Sequence, residues 1–300
     1  GVSSVTPAFP SLAEDPDIPS ASTGLLVSAF TLPGIILTPL FGLAADRWGR
    51  KTVLVPSLLL FGLAGGTCAI APTFQMLVLL RGVQGIGAAS LGSLNITLIG
   101  DMYEGDRRVS AMGCNASALS IGTASYPLIG GALALLGWRY PFAVALVGVI
   151  VGIICATSLD SVMPTKRVSF GEYLRGIWGY LSETEAIVLF SLTLGTFVLL
   201  YGAYLTYVPF LVETRHGGSA VITGLVMAVM SLTTAIVSSQ VGRLTRWWNE
   251  RALLRIAFVP YAAGLLLMAL VPQAWLLFVA AVLFGLGHGL NIPCVQTLLA

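Results

Sequence analysis

A chain of 300 residues with 15 basic and 13 acidic side chains is 9% charged and 56% hydrophobic, with a mean hydropathy of +0.91. Soluble domains carry roughly a quarter of their residues as charges, so no continuous water-facing surface can be built from this set. A formal net charge of +2 is too small to suggest a nucleic-acid partner, and the composition is that of a polytopic membrane protein.

A helix needs about 20 mostly apolar residues to cross the hydrocarbon core. Runs of that kind lie at about 21–43, 52–71, 74–100, 109–136, 139–158, 186–211, 219–241, 252–271 and 274–298. Residues 1–13 resemble the outer half of one more span, and the last run continues to Ala300. The sequence therefore reads as a fragment, truncated at both ends and holding about ten spans. Pro33, Pro39, Pro56, Pro127, Pro260 and Pro293 fall inside the runs. A bundle tolerates them, because neighbouring helices satisfy the freed backbone groups. The runs are too long for barrel strands and lack their alternation, so an all-α integral membrane fold is expected. Cys68, Cys114, Cys155 and Cys294 sit in separate runs without metal-type spacing, and neither a metal site nor a cofactor is expected.

Twelve of the fifteen basic residues fall in alternate connections. These are Arg47, Arg50 and Lys51; Arg107 and Arg108; Lys166, Arg167 and Arg175; and Arg243, Arg246, Arg251 and Arg255. The positive-inside rule places these four connections in the cytoplasm. The longest connection separates residues 1–158, with spans one to six, from residues 186–300, with spans seven to ten. Residues 159–185 are then a cytoplasmic linker, and Trp178 and Tyr180 suit an interfacial helix there.

Two cytoplasmic turns 200 residues apart are alike: GLAADRWGRKTVL (Gly42–Leu54) and GRLTRWWNERALL (Gly242–Leu254). A glycine-rich stretch also recurs, as GVQGIGAAS (Gly82–Ser90) and GLGHGLNIP (Gly285–Pro293). Duplicated halves joined by a loop are a transporter pattern. On these residues the chain resembles the major facilitator superfamily, and within it the drug:proton antiporters. GLAADRWGRK matches the turn between spans two and three, with Gly42, Asp46, Gly49 and Arg50 in place. LLRGVQGIGAA, with Arg81 and Gly85, matches the fourth-span motif of proton-linked members. GTASYPLIGG (Gly122–Gly131) resembles the fifth-span antiporter motif, with Tyr126 where that motif has glycine. The resemblance implies two pseudo-symmetric six-helix halves, of whose twelve spans about ten are present here.

Asp46 and Arg50 lie one helical turn apart, and the family pattern implies that Arg50 pairs with Asp101 as a cytoplasmic gate. The bland alternative is a solvated topology signal. Arg81 lies inside a span, where a permanent charge needs water or a partner. Gln84, Ala88, Gly92 and Asn95 fall within about 60° of it on a helical wheel, a polar or small stripe fitting a cavity lining. Two readings stand: a charge tuning a proton or substrate site, or an arginine snorkelling to the outer interface. Gly122, Pro127, Gly130 and Gly131 form the helix-packing motif of span five. The resemblance places spans four, seven and ten along a cavity, which makes Tyr201, Tyr204 and Asn291 lining candidates and His288 a proton carrier or a packing residue. Tyr207 fits an outer aromatic belt. Asn95 and Asn115 match glycosylation triplets but lie within spans.

All thirteen acidic residues fall in loops or at span ends, so no carboxylate sits at mid-membrane. No phosphate-binding loop for ATP occurs, and His216 and His288 are too few for a buried catalytic cluster, so no enzyme is expected. The expected function is secondary transport, with proton-coupled efflux of small organic compounds by alternating access as the leading reading. A facilitator or proton symporter of a small metabolite is the alternative, and a non-transporting sensor on the same fold a third. The expected partners are the bilayer, a small-molecule substrate and protons, with the chain a multi-pass monomer in the plasma membrane.

Overall fold

The computed structural model describes residues 1–16, 18, 22–159, 184–270 and 273–299. Apart from its ends, the linker expected at 159–185 lies outside the described residues. Every regular element among the described residues is helical. A short turn of 3-10 helix at Thr6–Ala8 leads into α1 (Phe9–Ala13), and α2 (Thr23–Trp48) and α3 (Arg50–Thr67) follow. Span four is divided into α4 (Phe74–Ala88) and α5 (Leu91–Met102), and span five is α6 (Gly105–Ala134). Span six enters as 3-10 helix at Tyr140–Leu146 and continues as α7 (Val147–Ser158). Span seven is α8 (Thr184–Phe197), a π-helical segment at Val198–Leu205, and α9 (Thr206–His216). Spans eight to ten are α10 (Ala220–Leu244), α11 (Glu250–Leu270) and α12 (Leu276–Leu299).

Local chemistry sets several of these boundaries. Gly49 separates α2 from α3 at φ 95°, a backbone geometry that a Cβ makes costly. Thr73 caps α4 by accepting from the Met76 N–H at 3.2 Å. Gly217, at φ 59°, ends α9 in the left-handed form common after helices. Eight of the helical stretches are long and apolar enough to cross a membrane. Span five, the fourth of the nine complete runs expected, is outside that set. At 30 residues α6 is long enough, but Asn115, Ser117, Ser120, Thr123 and Ser125 make it more polar. In α2, Leu32, Ile35, Ile36 and Leu40 are exposed, as suits a helix whose surroundings are lipid.

The chain divides into two compact units. One gathers Gly1–Val5, Ser11–Ala118 and the chain from Leu136; the other gathers Thr6–Pro10, Leu119–Leu135 and the chain to Ala300. The C-terminal part of α6 thus packs with the helices of the second half.

Each unit is built on one scheme, and the two registers differ by 200 residues. The first core holds Val53, Leu54, Leu94 and Leu98, with Phe41, Ala44 and Leu58 against it. The second holds Val241, Leu253, Leu254 and Cys294, with Leu244, Phe258 and Leu298 against it. The cross-helix hydrogen bonds repeat too: Thr38 Oγ1 donates to Ala89 O at 2.8 Å, and Ser238 Oγ donates to Gly289 O at 3.0 Å. Gly85 abuts Phe30 O as Gly285 abuts Met230 O, and Gly87 faces Ser57 O as Gly287 faces Ala257 O. The glycine repeat therefore runs Gly85 to Gly285 and Gly87 to Gly287. The pairing of Gly82 with Gly285 suggested by the sequence is three residues out of register, because the glycines recur at short intervals and only the helix crossings distinguish them.

Candidate functional site

Three sets of polar residues stand out, each within one unit. At the turn between α2 and α3, Arg50 is the first residue of its helix because Gly49 reverses the chain. Its Nη1 lies 2.5 Å from Asp46 Oδ1, and its Nε donates to Asp101 Oδ2 at 2.9 Å. One guanidinium thus joins the end of α2, the start of α3 and the end of α5. The side chain of Arg50 is only 9% exposed, so both contacts are partly shielded from water. A shielded pair of this kind is worth more than an open surface ion pair. Lys51 strengthens the corner by donating to Leu159 O at 2.6 Å. Arg50→Ala is expected to insert normally while transport falls on the order of tenfold, the equivalent of about 1.4 kcal/mol. Unchanged transport rates in Arg50→Ala and Asp46→Asn would reduce the corner to a topology signal.

The second set surrounds Arg81 on α4. Its residue is 0% exposed, which removes the snorkelling reading. Nη1 donates to Gln84 Oε1 at 2.7 Å and Nε to Leu26 O at 3.3 Å, while Nη2 has no partner. The guanidinium carbon lies 4.6 Å from the centroid of Phe30 and 5.8 Å from that of Phe142. Aromatic faces and one amide thus stand where a carboxylate would be expected. Gln84 is buried with Arg81, whereas Gly92 and Asn95 further along are exposed. The stripe read as one cavity lining is therefore split, buried at Arg81 and open at Asn95. Asn95 Nδ2 donates to Asn115 Oδ1 of α6 at 2.6 Å. Asn115 was legible only as a glycosylation triplet, and nothing in its spacing announced this pairing.

The third set lies in the second unit. Tyr204 and Asn291, expected to line a cavity, are both 0% exposed. Tyr204 stacks on Phe284 at 4.6 Å and donates to Val226 O at 3.3 Å. Asn291 Oδ1 accepts from Thr196 at 3.3 Å, and its Nδ2 is buried without a partner. Tyr201, in the π-helical segment, is half-buried and stacks on Phe197 at 5.7 Å. His288 is half-buried and its Nδ1 is hydrogen-bonded to the hydroxyl of Tyr261 at 2.6 Å. Tyr261 escaped the sequence reading, although it stands 200 residues after Phe61 and the register would have exposed it.

The fifth-span motif packs where α6 meets α10. A Cβ on Gly131 would stand 2.5 Å from Ala220 O, and one on Gly224 2.5 Å from Pro127 O. Pro127, Gly130 and Gly131 are buried, while Gly122 has only the Tyr126 ring nearby. Among the described residues no cluster of His, Cys, Asp or Glu could hold a metal ion.

Two units with one internal register, a charged corner after the second span and a buried arginine in the fourth define a membrane transporter. The family model of the Major Facilitator Superfamily matches residues 1–300, and the chain belongs to that family. It is 26% identical over its whole length to Multidrug resistance protein 1 of Bacillus subtilis, spanning 77% of that protein. It is 24% identical over 99% of its length to the class B tetracycline resistance protein of Escherichia coli, spanning 75% of it. A match to the bacillibactin exporter of Bacillus subtilis is 34% identical but covers 47% of this chain and 37% of that one. The fold is shared with the D-xylose-proton symporter, at a TM-score of 0.71 and 15% identity over 98% of this chain and 77% of that one. The nucleoside transporter NupG matches at a TM-score of 0.77 and 13% identity, over 99% of this chain and 78% of that one.

Proposed function

We propose that this transporter exports small organic compounds in exchange for protons, by alternating access, as a plasma-membrane monomer with its basic turns in the cytoplasm. The observation that carries the proposal is Arg81, a fully buried guanidinium with one unpartnered nitrogen inside a span. An arrangement so costly to fold needs a functional return, and charge movement across the bilayer is one. The export direction draws support from the drug-resistance relatives that match nearly the whole chain. Arg50, Asp46 and Asp101 serve as the cytoplasmic gate, and an alternating-access cycle requires such a bistable contact. Tyr126, in place of the antiporter glycine, favours a second reading as a facilitator or proton symporter of a metabolite. The test is full-length protein in proteoliposomes with an imposed pH gradient and a panel of cationic dyes. Dye accumulation that follows the gradient is expected. Movement that ignores it selects the facilitator, and no movement of any solute selects a sensor.

A further inference from the structure

Tyr261 on α11 and His288 on α12 form a polar pair inside the second unit, with Tyr261 Oη 2.6 Å from His288 Nδ1. Tyr261 is 1% exposed. The pair exists because Gly287 lets the two helices close: a Cβ there would meet Ala257 O at 2.7 Å and the Tyr261 ring at 2.8 Å. Phe284 anchors both members, edge-on to Tyr261 at 4.8 Å and stacked on His288 at 6.4 Å. In the register of the first unit, the same two positions are Phe61 and Ala88. There Gly87 closes on Phe61 N and Ser57 O with no hydroxyl and no imidazole. The helix crossing thus does not need the polar pair. The hydrogen bond between them offsets the cost of taking two polar groups out of lipid, and the apolar pair at the equivalent crossing shows that packing alone does not call for them.

We infer that His288 carries the coupling proton and that Tyr261 is its positioning residue; this rests on the proton-exchange reading above. With Nδ1–H donating to Tyr261 Oη, the lone pair of Nε2 is free. That atom accepts one proton to give the imidazolium and releases it to regenerate the neutral ring. The Nδ1–H to Oη hydrogen bond is kept in both states, so the ring holds one tautomer and one orientation throughout.

The surroundings hold little else that titrates. From α11 only Tyr261 faces the ring, since Glu250, Arg251 and Arg255 lie in the first turns of that helix. The π-helical segment contributes Tyr204, through its stack on Phe284. On α10 the first charged residue is Arg243, in its last turn, and on α12 the other titratable side chain is Cys294, six residues on. The described side chains of α8 carry no charge. Among the described residues no carboxylate is hydrogen-bonded or ion-paired to the ring, and Glu250 stands at the far end of α11, so an imidazolium must be hydrated. Protonation therefore favours whichever state of the transporter opens this site to water.

The test compares wild type, His288→Gln and Tyr261→Phe as full-length protein in proteoliposomes, with gradient-driven dye transport measured across a pH series. His288→Gln is expected to reduce transport to the level seen without a gradient. Tyr261→Phe removes a single hydroxyl, so the fold should survive. It is expected to move the pH of half-maximal transport about one unit toward acid with KM unchanged, because the charged ring loses one hydrogen bond. A readout independent of transport is the 15N spectrum of histidine-labelled protein, in which the signals lost in His288→Gln are those of the His288 ring. Tyr261→Phe should shift the His288 ring from a single Nδ1–H tautomer to a mixture. A gradient-driven His288→Gln protein overturns the assignment of the proton, and an unchanged tautomer in Tyr261→Phe overturns the positioning role. If wild type ignores the gradient, the proton-exchange reading fails as well. A driven wild type with a driven His288→Gln removes the dyad alone.

Discussion

Arg81→Met is expected to leave the purified protein as stable as wild type, or more so, while transport is lost. The guanidinium has given up its hydration for one strong hydrogen bond to Gln84, a longer one to Leu26 O and two aromatic faces. One of its nitrogens has no partner at all. Exchanging a poorly compensated buried ion for an apolar side chain of similar length is often neutral or stabilising by about 1–4 kcal/mol. Methionine follows the same path between Phe30 and Phe142 and needs no acceptor. Arg81→Lys should not recover transport, since an ammonium cannot present the planar fork that spans Gln84 and Leu26 O. Thermal unfolding in detergent and dye transport in proteoliposomes read the two effects separately. A strongly destabilised Arg81→Met would make the arginine structural. A transporting one would remove it from coupling.

The glycines of the fourth span should separate sharply on substitution by alanine. A Cβ on Gly85 would overlap the carbonyl of Phe30, and one on Gly87 would stand 2.5 Å from Phe61 N. Neither neighbour is a flexible side-chain end, so α2 or α3 must move away from α4. Overpacking of this kind costs about 1–3 kcal/mol, and both variants should lose thermal stability and folded yield. Gly82 lies in the same motif, yet its Cβ would meet only Ala29 O at 3.9 Å, and Gly92 has open space. Gly82→Ala and Gly92→Ala should match wild type, or gain slightly, because alanine restricts the unfolded chain. Equal behaviour of all four variants in a melting assay would contradict the helix crossings described above. The second unit offers the same contrast at Gly285 and Gly287.

The sequence by itself determined that this is a helical membrane chain, roughly where its spans lie, and that two of its stretches repeat; the break after Ala88 and the π-helical segment at Val198–Leu205 came only from the structure. Charge scarcity, run length and the Asp46–Arg50 spacing each have a local cause, and local causes are visible in a one-dimensional pattern. The contact of Arg50 with Asp101 was legible too, though only through the family resemblance, since 51 residues separate them. Which face of each helix is buried was not legible. In water an apolar stripe marks the core, but lipid is as apolar as a helix interface, so Ile35 on the outside and Leu54 in the core look alike in sequence. Tyr204 and Asn291 become cavity candidates only through the family resemblance, and both are buried; the sequence alone leaves Arg81 a snorkelling alternative for the same reason. Only the tertiary structure set the 200-residue register of the glycine crossings. It alone brought Asn95 to Asn115 and Tyr261 to His288, because those pairings depend on how closely two helix backbones approach.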